Sequence, residues 1–62
     1  MDLSVRNRVR RIVINECYLI GLTESEINAG LKVADSLLEN GEEPANSILA
    51  GVTKAENSQR DN

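Results

Sequence analysis

The chain is 62 residues long, carries ten acidic against seven basic side chains for a formal net charge of −3, and holds one cysteine, one tyrosine and no histidine. This excludes an internal disulfide and removes the commonest general base, the usual partner of a nucleophilic Ser or Cys, and the commonest metal ligand. A lone thiolate cannot make a structural zinc site, and the acidic field of the whole molecule disfavours nucleic acid and anionic lipid as partners.

A domain this short buries only about 60% of the surface its unfolded chain exposes. It has no Trp and no Phe to anchor a core, so with neither disulfide nor metal, self-association is the remaining way to add buried area. A homodimer is therefore expected. The first residues, Met1 to Arg11, are arginine-rich and contain no apolar run followed by a cleavage site, so they do not read as a secretory signal. Nor is there an apolar stretch of about eighteen residues to span a bilayer. A lone thiol and no export signal lead us to expect a reducing cytoplasm, and the short chain beginning at Met1 is expected to be a complete small bacterial or phage accessory protein.

In the first segment Val5, Val9, Ile12, Val13, Cys17 and Ile20 recur mainly three and four apart, which places them on one side of a helix. Asp2 or Ser4 caps its start, and Gly21 closes it in a left-handed conformation. The run Ile12-Val13-Ile14, followed by Cys17-Tyr18-Leu19-Ile20, also suits a short strand because of its branched side chains. Thr23-Glu24-Ser25-Glu26 matches a capping box and starts a second helix. Ile27, Leu31, Ala34, Leu37 and Leu38 form its apolar stripe, and Asn28, Lys32, Asp35 and Glu39 are expected on the opposite, wet side. Asn40-Gly41 stops it. Pro44 then suits the first position of a third, shorter helix, behind Glu42 and Glu43, with Ala45, Ile48, Leu49, Val52 and Ala55 as its apolar stripe. Residues 57–62 contain nothing apolar to bury, so they are expected to be a disordered polar tail. The expected fold is all-α: one helical domain over residues 1–56, with a long N-terminal helix, a capped central helix and a short third helix.

Leu22, Thr23 and Glu26 resemble the L-T-x-x-E opening of the helix-turn-helix in LuxR-type regulators. The likeness is confined to those three residues. The third segment, Pro44 to Val52, has no Arg or Lys to read bases or hold phosphates, so the resemblance implies no DNA-reading role.

No catalytic, cofactor-binding or metal site is expected. The carboxylate pairs Glu24/Glu26, Glu42/Glu43 and Asp35/Glu39 fall at helix starts or on the polar stripe, and Gly21, Gly30, Gly41 and Gly51 are isolated and make no phosphate loop. Cys17 on the apolar side reads as a small hydrophobe. Arg6, Arg8, Arg10 and Arg11 are the basic cluster. A nucleic-acid-binding regulator using these arginines in a dimer is the alternative reading, although Arg6 and Arg10 point one way on a helix and Arg8 and Arg11 another. Glu16 lies within the apolar arc, where a buried carboxylate needs a partner. That partner is either the amides near Thr23 or, if two first helices pair antiparallel about a point near Ile12 or Val13, Arg8 or Arg10 of a second chain; if the arc's end is exposed, none is needed. Leu3, Ile14 and Tyr18 suggest a second apolar surface. The expected dimer or partner interface is accordingly Leu3, Arg8, Arg10, Ile14, Glu16 and Tyr18. The function expected is that of a small non-enzymatic accessory or regulatory protein, a homodimer that docks on another, unidentified protein through helical surfaces.

Overall fold

In the computed structural model, which describes residues 2–60, three helices follow one another: α1 (Leu3–Leu19), α2 (Glu24–Glu39) and α3 (Pro44–Arg60). The all-α expectation holds, and no strand occurs among the described residues. The β-branched run 12–14 lies inside α1, where Val13 is fully buried and the interior contact outweighs a weak local preference for strand. Asp2 caps α1, its Oδ1 accepting from the Ser4 amide at 2.9 Å.

Both interhelical turns close the same way. At the end of α1, Gly21 adopts φ +79°, its amide donates to the Tyr18 carbonyl, and the Leu22 amide donates to the Cys17 carbonyl at 3.0 Å. At the end of α2, Gly41 adopts φ +87°, with Gly41 N–H donating to Leu38 and Glu42 N–H to Leu37 at 2.9 Å. These paired bonds satisfy last-turn carbonyls and need a residue that tolerates the left-handed region, which glycine does without strain. The chain thus reverses twice, and α2 runs antiparallel to both neighbours.

The start of α2 is fixed by a full capping box. Thr23 Oγ1 accepts from the Glu26 amide at 3.3 Å, and Glu26 Oε1 accepts from the Thr23 amide at 2.7 Å. Thr23→Ala removes the first of these, at an expected cost of about 1 kcal/mol, which for a chain of this size lowers the melting temperature by about 4–8 °C. Thermal unfolding followed by circular dichroism measures it, and an unchanged midpoint would show that the cap contributes nothing.

The core joins Val9, Val13 and Cys17 of α1, Leu22 of the turn, Ile27, Leu31, Ala34 and Leu38 of α2, and Ala55 of α3, with Val5, Ile14, Ile48 and Val52 packed at its edge. Helices α2 and α3 make the most extensive contact, and small residues are the reason. Gly30 and Gly51 face each other so closely that a Cβ on Gly30 would collide with the Gly51 carbonyl oxygen and lie 3.1 Å from Ala55 Cβ. A Cβ on Gly51 would lie 3.0 Å from the Gly30 carbonyl oxygen, 3.2 Å from Ala34 Cβ and 3.4 Å from Val13 Cγ2. The backbones of α2 and α3 therefore meet, and α1 covers the crossing through Val13.

This contact corrects the reading of α3 in three ways. Its buried line is Ser47, Gly51 and Ala55, while Leu49 stands exposed and Ala45 faces water. Ser47 is buried without cost because its hydroxyl donates to the Glu43 carbonyl at 3.1 Å. The helix is also as long as α1, and residues 57–60, expected in a loose tail, continue it. The amides of this last turn donate to carbonyls one turn back, which requires no apolar burial. Residues 61 and 62 of the expected tail lie outside the described residues.

Candidate functional site

The basic cluster of α1 is divided by the fold. Arg6 Nη2 donates to Asp35 Oδ2 of α2 at 3.3 Å, and Arg10 Nη1 donates to the same oxygen. Asp35 was expected on the wet face of α2, but its side chain is only 15% exposed beneath the two guanidiniums. Its second oxygen, Oδ1, is buried with no hydrogen-bond partner. Two positive charges on one carboxylate compensate for that burial. Arg8 and Arg11 point away and are exposed.

Glu26 is also buried, 7% exposed, because it folds back as the capping partner of Thr23. It leaves no Thr23 amide for Glu16. Glu16 itself is exposed, the arc's end being uncovered, and makes no ion pair among the described residues. Cys17 is fully buried; burial, then Glu56 and Glu16, push its thiol above the usual range, so it stays a protonated packing group. Among the described residues no group of three or more His, Cys, Asp or Glu is placed to hold a metal ion, and no helix is long and apolar enough to cross a membrane.

Of the expected surface of Leu3, Ile14 and Tyr18, one member is partly buried. Ile14 packs at the core edge, and Leu3 and Tyr18 are exposed. A different apolar band is present. Arg6 and Arg10 mark the flank of Val13 that faces α2, so the other flank, carrying Val5, Ile12, Glu16 and Leu19, borders α3. On α3, Lys54 borders α2 in an open groove with Glu24, Asn28 and Lys32, and Leu49, about 160° from Gly51 at 100° per residue, faces away from the bundle. Ile12 and Leu19 are 37% and 81% exposed on that flank of α1, Ile20 follows at the end of the helix, and Leu49 is 68% exposed on the outer side of α3.

No known protein family, curated protein or solved structure matches the chain. Its functional reading therefore rests on its own residues. Sequence reasoning had placed Ile12 and Ile20 in the buried arc of α1 and Leu49 in the stripe of α3, and it had not counted Leu19 in an interface at all. The available signal was that Val5, Ile12 and Leu19 repeat every seven residues.

Proposed function

We propose that this protein is a small non-enzymatic interaction module that works as a homodimer and presents helical surfaces to a protein partner. The observation that supports this best is the exposure of the large aliphatic side chains Ile12 and Leu19 on one flank of α1. Large aliphatic side chains gathered on one flank are a protein-contact feature, and a chain with one aromatic side chain and no disulfide gains stability from covering them. The arginine cluster supports the same reading. Arg6 and Arg10 are engaged with Asp35, which leaves Arg8 and Arg11 to face outward on a chain of net charge −3.

Light scattering at micromolar concentration is expected to give twice the chain mass, and the melting temperature is expected to rise with concentration. Leu19→Ser, at an exposed position, should shift the population toward monomer while leaving helix content unchanged. A monomeric mass together with a concentration-independent melt removes the proposal.

A further inference from the structure

The outer flank of α1 is self-complementary about one residue. Val5, Ile12 and Leu19 stand seven residues apart, the repeat of a seam position between two helices. Val5 and Leu19 are equidistant from Ile12, and so are Arg8 and Glu16, four residues to either side. Arg8 and Glu16 lie about 40° to opposite sides of the line through Ile12, at 100° per residue. A two-fold axis at the level of Ile12, perpendicular to both helices, exchanges height and preserves side. Each Arg8 then stands level with Glu16 of the second copy, diagonally across the seam, and each Val5 stands level with Leu19 of the second copy. A parallel, in-register pairing would instead set Arg8 against Arg8 and Glu16 against Glu16.

We propose that the occupant of this flank is a second copy of the chain, its α1 packed antiparallel on the first about Ile12, with Arg8 of each chain paired to Glu16 of the other. This rests on the homodimer reading above and adds its register. The fold decides between the two arginines that the sequence offered to Glu16. Arg10 lies on the α2 flank and is held by Asp35, whereas Arg8, Glu16 and Leu19 are exposed on the flank that pairs. The arrangement is isologous and closed, so it stops at two chains.

The test is the dimer dissociation constant of wild type, Arg8→Glu, Glu16→Arg and the double reversal, measured by sedimentation at low salt. Each single reversal faces like charges across the axis twice and is expected to weaken the dimer roughly tenfold, and the double reversal to return it to within about threefold of wild type. All these positions are exposed, so helix content should not change. As a second readout, Ile12→Cys in a Cys17→Ala background should oxidise readily to a covalent dimer, because a residue on the axis meets its own copy, whereas Leu19→Cys should not. A wild type that is monomeric throughout overturns the homodimer reading and the register together. A dimer whose double reversal fails to recover, or in which Ile12→Cys does not cross-link, overturns the register and leaves the homodimer reading standing.

Discussion

Gly30→Ala is expected to lower stability by about 2 kcal/mol, although alanine is the better helix former. The intrinsic preference favours the variant by about 1 kcal/mol in a helix interior. Against this, the new Cβ meets the Gly51 carbonyl oxygen and Ala55 Cβ, both belonging to the facing helix. A backbone carbonyl cannot rotate aside as a flexible side chain does, so α2 and α3 must separate along their most extensive contact. Overpacking of this kind costs about 1–3 kcal/mol, and the backbone obstruction places it near the top of that range. The net loss corresponds to about 8–16 °C in melting temperature for a small domain. Gly51→Ala meets looser contacts, at 3.0 Å and beyond, and should cost less. Urea denaturation of the two variants checks the order; a Gly30→Ala protein as stable as wild type would mean that the helices do not approach this closely.

Asp35→Ala should have the second-largest effect, a loss of about 1–2 kcal/mol. One carboxylate oxygen serves both Arg6 and Arg10, and removing it leaves two guanidiniums close together without an anion. A fully buried pair broken on one side costs about 3–5 kcal/mol. Here the arginine side chains are 35% and 37% exposed, so water takes over part of the lost interaction and the cost falls toward the surface range. Removing Asp35 also relieves the burial of the unpartnered Oδ1, which trims the loss further. Double-mutant cycles of Asp35→Ala with Arg10→Met and with Arg6→Met should both show coupling, the larger for Arg10. Additivity in both cycles would show that the triad contributes nothing to the fold.

The parts of the fold that were legible in the sequence are those set by local chemistry. The Thr23/Glu26 box, the left-handed Gly21 and Gly41, and Pro44 at the start of α3 each act through groups a few residues apart. What was not legible depends on which neighbour covers which flank. A wheel of α2 centred on Ile27, Leu31 and Leu38 leaves Asp35 at the edge, yet α2 is covered by two helices, so its buried arc is wide enough to draw Asp35 under α1. The same limit applies to α3. Counting large apolar residues phases it on Ile48, Leu49 and Val52, whereas the observed contact is phased on Ser47, Gly51 and Ala55, because small residues bury themselves by letting backbones approach. With Leu49 rotated outward, α3 borders that flank of α1 without reaching over Ile12 and Leu19, and that is where the candidate surface lies. Glu16 was singled out by its apolar surroundings in sequence, but only the capture of Arg10 by Asp35 separates Arg8 from Arg10 as its counterpart.

The central claim is that the flank of α1 bearing Ile12 is covered by a second copy of the same chain. Its most direct test is an isotope-filtered nuclear Overhauser experiment on an equimolar mixture of carbon-13-labelled and unlabelled chains, which reports only contacts between molecules. The account predicts intermolecular cross-peaks from Ile12 methyls to Ile12 methyls and from Val5 methyls to Leu19 methyls. Absence of any intermolecular cross-peak at millimolar concentration, with the helices intact, would contradict it.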